Sequence, residues 1–183
     1  MGKPLEYTLA DIFMAKIERA ASEQIRQQKL HKRFLNDIFV VSEDRERIET
    51  LIGFLNSNHP SVSFTNDFEQ NNAIAFLDVL ISRKPDGTIS RSVYHKPSWT
   101  GLYQNFLSFC PMQYKRGLVR TLFNRARRIC TVDTLPTELQ LITDTLKKNN
   151  YPEKFIQRHS EIRPNRGGEV LISSPSFQRP SDN

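Results

Sequence analysis

The chain has 183 residues, enough for one domain or two small modules, and its 38% hydrophobic and 25% charged content suits a soluble globular protein with some disordered surface. No apolar run approaches the ~18–20 residues of a membrane span, and residues 1–10 lack the basic start and apolar stretch of a secretory signal. A membrane protein and an exported one are therefore not expected, and the chain reads as intracellular, whether nuclear or cytoplasmic. The formal charge is +6 with a pI near 9.5, which alone only permits an acidic partner.

In chain order, residues 9–30 carry Ile12, Phe13, Ile17, Ala20, Ala21 and Ile25 near the helical period. The polar run Gln24 to Lys29 makes burial of that helix's far end doubtful. The stretch from Phe34 to Val41 has two apolar runs around Asn36-Asp37 and reads as two short strands with a tight turn at that pair. Residues 42–58 read as a helix with Ser42 or Asp44 as cap and Ile48, Leu51, Ile52 and Leu55 as its apolar stripe. Three strands are expected next, over residues 62–68, 74–81 and 89–94. Pro85-Asp86-Gly87 turns the last two into an antiparallel hairpin, since Pro presets φ and Gly accepts positive φ.

An aromatic loop follows, with Tyr94, Trp99, Tyr103, Phe106 and Phe109. These rings either plug a core or stack on bases. Beyond Pro111 a helix runs to about Cys130, with Leu118, Val119, Leu122, Phe123, Ala126 and Ile129 on one face. It would hold Cys110 and Cys130 ~30 Å apart at 1.5 Å per residue, which excludes a bond between them. A further helix runs from near Pro136 to Lys148, stops at Asn149-Asn150-Tyr151-Pro152, and gives way to a short one around Phe155-Ile156. Three short helices with tight turns resemble a helix-turn-helix arrangement. Beyond Glu161 the chain is rich in Pro, Ser, Arg and Gly and is expected to be largely disordered.

The charge is unevenly placed. No acidic residue lies between Asp86 and Asp133, where Arg91, Lys96, Lys115, Arg116, Arg120, Arg125, Arg127 and Arg128 all fall. Those eight cations exceed the net +6, so the remainder is slightly acidic. Such a stripe is either a footprint for phosphate or a solvated helix face.

Several segments also resemble, in order, the reverse transcriptases of Penelope-like retroelements. Gly2-Lys3-Pro4-Leu5 with Leu9-Ala10-Asp11-Ile12-Phe13-Met14 is similar to their Gly-x-Pro-Leu-Ser-Pro helix motif, although Glu6 and Tyr7 replace Ser-Pro. Arg33-Phe34-Leu35-Asn36-Asp37-Ile38-Phe39 resembles the catalytic hairpin, normally aromatic-x-Asp-Asp. Phe76-Leu77-Asp78-Val79 and Arg83-Lys84-Pro85-Asp86-Gly87-Thr88 look like the segments that follow it. Ser92-Val93-Tyr94-His95-Lys96-Pro97, Thr100-Gly101 and Tyr103 resemble the Tyr-x-Lys-Pro box. The helix from Lys115 to Ala126 and the turn Asn150-Tyr151-Pro152 complete the series.

The resemblance implies an α+β fold: a partial palm (a small antiparallel sheet plus helices) over residues 1–95, a helical thumb or helix-turn-helix module over 96–161, and a disordered tail over 162–183. It implies Mg2+ in the intact family, held by carboxylates because that hard cation takes oxygen ligands. Here Asn36 occupies the first position of the pair, Asp37 is a lone remnant and weak metal ligand, and the carboxylate of an earlier palm strand is missing. RNA-directed DNA polymerisation, and a bound Mg2+, are therefore not expected of this chain alone. Binding of RNA or an RNA–DNA hybrid is expected, through Lys96, Lys115, Arg116, Arg120, Arg125, Arg127 and Arg128. Two other readings stay open: an independent helix-turn-helix binding module, and a decayed copy without selected function. A sheet lacking its neighbouring palm strands would have an exposed edge, through which self-association is expected.

Overall fold

The computed structural model describes residues 4–160, so the expected disordered tail, and Gly2-Lys3 of the first motif, lie outside the described residues. Among these, six helices and five short strands form an α+β fold. The first helix of the sequence reading is two. α1 runs Pro4–Ala20 and α2 runs Ser22–Arg26, broken at Ala21. The polar residues that made burial doubtful end in a turn, and Leu30 already belongs to a strand.

β1 (Leu30–Phe34) and β2 (Asp37–Val41) pair antiparallel, with Phe34 opposite Asp37. The turn is thus Leu35-Asn36, one residue earlier than Asn36-Asp37, and Asp37 opens the return strand. α3 (Arg45–Ser57) follows Asp44, which occupies the cap position without donating or accepting a side-chain cap bond. Met14, Ile17 and Ala21 meet Leu51 and Leu55 in a first core, with Ile38 and Val40 against it. Arg33 ties the hairpin to α1, donating to Asp11 at 2.8 Å and reaching Glu18 at 3.0 Å.

Residues 62–68 do not form a strand. Their apolar members Val62 and Phe64 instead pack on the first core, and Asn56 holds Phe64 in place, its side chain bonding both the N–H and the C=O of that residue. The expected strand over 74–81 is two, β3 (Ala73–Phe76) and β4 (Val79–Arg83), reversed at Leu77-Asp78. β5 (Ile89–Val93) pairs with β4 across the Pro85-Asp86-Gly87 turn, where Gly87 has φ +81°. The strands therefore form two sheets, β1-β2 and β3-β4-β5, where one small sheet was expected.

α4 (Met112–Ile129), α5 (Leu135–Lys148) and α6 (Glu153–Ser160) build a second core from Val119, Leu122, Phe123, Ala126, Ile142 and Leu146, closed by Tyr151 and Ile156. Each large side chain buried there contributes about 1.5–3 kcal/mol. The three-stranded sheet leans on this core. Thr131, between α4 and α5, donates its N–H to Arg91 O on β5 at 3.0 Å. Asp78 pairs with Arg125 at 2.9 Å, Lys84 with Asp133 at 2.8 Å, and His95 with Glu138 at 3.0 Å. Cys110 and Cys130 flank α4 as free thiols.

Candidate nucleic-acid interface

α4 owes its position to two opposed demands. Its apolar residues recur at helical spacing and must leave water, while its arginines must keep it. Val119, Leu122, Phe123 and Ala126 are buried, and Arg116, Arg120 and Arg128 stay exposed. At 100° per residue, Arg116, Arg120 and Arg127 fall within about 40° of one another, along roughly 16 Å of helix. Arg128 lies about 80° beyond Arg120, between that line and the flank that carries Arg125. Arg127 is half-buried, its guanidinium 5.7 Å from the Phe123 ring.

Among the described residues, Arg116, Arg120 and Arg128 have no carboxylate within ion-pair distance. The contrast lies in the first sixty residues. There Lys29, Arg33, Arg45 and Arg47 each meet a glutamate or aspartate. A ridge of unneutralised guanidinium groups is available to phosphate oxygens, which they bind in pairs of parallel hydrogen bonds.

α5 and α6 are joined by Asn149-Asn150-Tyr151-Pro152. Asn150 takes φ +64°, a left-handed conformation that asparagine adopts more readily than most residues and that reverses the chain in one step. Tyr151, 2% exposed, then plugs the core, and Pro152 precedes α6. A four-residue turn between two packed helices is the geometry of a helix-turn-helix. Outward from α6 project Lys154, Gln157 and Arg158, all exposed. The sequence reading missed these three, because a helix of eight residues shows little beyond Phe155 and Ile156.

Three of the expected phosphate ligands stand elsewhere. Lys115 is buried at 5% exposure, and its ammonium donates to Phe106 O at 2.6 Å and Ser108 O at 2.9 Å. It fastens the aromatic loop to the start of α4 and is withdrawn from solvent. Arg125 projects from the opposite flank to Arg116 and is ion-paired with Asp78 at 2.9 Å. Lys96 is exposed on the segment after β5, beside Arg125.

The aromatic loop divides likewise. Tyr103 and Phe106 pack on the second core, Phe109 is fully exposed, and Trp99 lies half-buried with His95 stacked 4.2 Å away. The loop's staple is Asn149, which sequence reading took only as a helix stop. Its side chain accepts from Tyr103 N–H at 3.1 Å and donates to Gly101 O and Thr145 O at 2.8 Å. Its backbone carbonyl accepts from Phe106 N–H.

Asn36 and Asp37 sit at the tip of the β1–β2 hairpin, both exposed. Among the described residues, no group of three or more His, Cys, Asp or Glu side chains is placed to hold a metal ion. One amide and one carboxylate do not fit a two-magnesium centre, which needs several charged oxygens converging on ions ~3.5–4 Å apart.

Residues 102–161 match the animal helix-turn-helix domain family, and the match covers α4, α5, α6 and the end of the aromatic loop. No curated protein and no solved structure matches the chain.

Proposed function

We propose that this protein binds nucleic acid through its helical module, as the C-terminal palm-and-thumb portion of a reverse transcriptase related to those of Penelope-like elements. The observation that carries the binding is the unpaired arginine ridge of α4, set on a three-helix module of helix-turn-helix form. Arg116, Arg120, Arg127 and Arg128 take phosphates, and α6 brings Lys154, Gln157 and Arg158 toward the groove. RNA or an RNA–DNA hybrid is the partner in this reading. The ordered series of sequence motifs supports the origin, and the donor set at Asn36-Asp37 makes the chain a binder that does not polymerise alone.

The binding unit includes the second sheet. Arg91, Asp78, Lys84 and His95 all tie β3-β4-β5 to α4, α5 and the link between them, which supports counting the sheet with the helices. The test is fluorescence anisotropy with a labelled RNA–DNA duplex, comparing wild type with the Arg116→Gln, Arg120→Gln, Arg128→Gln variant. A loss of at least ten-fold, about 1.4 kcal/mol, is expected at physiological salt. Equal affinity in a folded variant would remove the ridge from the interface.

A further inference from the structure

We propose that the cleft between the β3–β4 turn, the segment after β5 and α4 seats one unpaired nucleotide of a bound strand, its base stacked against aromatic rings. This rests on the nucleic-acid reading above and adds a second site to it. The cleft has a volume of about 320 Å³ and is lined by Tyr94, Trp99 and Tyr103 together with Lys96, Arg125 and Asp78. That is near the lower limit of ordinary small-molecule pockets, ~300 Å³, with room for one base but not a base pair.

Each component suits a nucleotide. Aromatic rings stack on any base, whatever its identity. Lys96, and Arg125 with the part of its guanidinium that Asp78 does not engage, attract the phosphate. Asp78 and Ser98 offer hydrogen-bonding oxygens to a base edge.

The tryptophan wall is braced from behind. Glu138, buried at 6% exposure, bonds His95 Nε2 at 3.0 Å, and the His95 ring in turn lies 4.2 Å from the Trp99 indole. Gly101 lies flush against the far edge of the same ring, where an added Cβ would stand 3.7 Å from it. A stacking platform held this way spends little ordering entropy when a base arrives. A base in a duplex cannot reach it, because only an unstacked base exposes a full ring face.

Trp99 is the single tryptophan of the chain, so its emission reports the cleft directly. Three probes are titrated against the full chain: a labelled eight-nucleotide single-stranded RNA, a hairpin duplex of matched phosphate number, and adenosine monophosphate. The expected result is quenching of Trp99 by the single strand and not by the duplex. Tyr94→Ala should weaken the single strand roughly 5- to 150-fold, the range for one lost stacking platform, with duplex affinity unchanged. Lys96→Gln, on an exposed side chain, should weaken the single strand as well and leaves the platform intact.

Binding of the strand, seen by anisotropy, with Trp99 emission unmoved would overturn the cleft and leave nucleic-acid binding standing. Quenching by the monophosphate at the same concentration as by the strand would overturn the strand as ligand. No binding of strand or duplex, even at low salt, would remove both readings.

Discussion

Asn149 shows how much of this molecule hangs on single polar side chains. It satisfies one backbone N–H and two carbonyls from a site 6% exposed, joining residues 101–106 to the end of α5. Asn149→Ala removes the partner of Tyr103 N–H and of Gly101 O in a place water barely reaches, while Thr145 O keeps the Asn149 backbone N–H at 3.2 Å. A loss of roughly 1–3 kcal/mol is expected in denaturant unfolding, with the aromatic loop becoming accessible to protease. Lys115→Met tests a different point. Its ammonium is occupied by two carbonyls, so the variant should lose about 1.5–3 kcal/mol of stability while the folded protein keeps its affinity for nucleic acid. An affinity loss as large as that of the exposed arginines would return Lys115 to the interface. Neither role was legible in the sequence. Asn149 meets Tyr103 and Gly101 across 46 and 48 residues, and a lysine in a basic run looks like its neighbours until its burial is known.

At the scale of elements, legibility followed the strength of the local pattern. α4 and α5 repeat apolar residues over four to five turns, and both emerged within a residue or two of their expected ends. The Pro85-Asp86-Gly87 hairpin was legible for the same reason, since its turn residues act by conformational mechanism. The other two hairpins turn on leucine. Leu35 and Leu77 take φ +54° and +56°, each inside a Phe-Leu-Asx sequence, and leucine signals no turn. Hence the one-residue slip at Asn36 and the merging of β3 with β4. Leu77→Gly relieves the left-handed strain and should leave stability within about 1 kcal/mol of wild type. Leu77→Val, stiffer at Cβ, should destabilise by more, as thermal unfolding would record.

The contact between sheet and helices carries a pH signature. A hydrogen bond from Lys84 holds the Asp133 carboxyl down at about 2, from an ordinary value of 3.8. A carboxyl depressed on folding stabilises the protein above its unfolded value, and that stabilisation is lost as pH falls from near 4 through about 2. The melting-temperature difference between wild type and Asp133→Asn should therefore be constant above pH 5 and shrink steadily as pH falls from near 4 to about 2. Both groups are solvent-exposed, so the difference should also shrink with added salt. A difference that does not shrink between pH 5 and pH 2 would assign the effect to packing.

Across the whole molecule two cores are joined by few contacts, among them the Phe39 and Phe76 rings 5.3 Å apart and the Glu69–Arg83 pair. We expect a fragment of residues 70–160 to unfold cooperatively and to keep duplex affinity. Residues 1–69 hold the open edges of the β1-β2 sheet, together with exposed Leu9, Ile12 and Phe34. Unpaired strand edges beside apolar side chains invite a second chain, so self-association of the full chain should be seen in sedimentation and disappear on removing residues 1–69. The α+β class was legible from the sequence because it needs only the order of periodicities. The partition into two cores was not, because it depends on which sheet Arg91 and Asp78 tie to the helices.

The most direct measurement of the central claim is the dependence of duplex affinity on salt. For a protein that contacts phosphates, log K falls linearly with log salt, by roughly 0.9 per neutralised phosphate on duplex DNA. Wild type should show a steep slope, shallower by about 3 in the Arg116→Gln, Arg120→Gln, Arg128→Gln variant. A slope that is the same in both proteins would contradict that claim and leave the arginines of α4 as a solvated face.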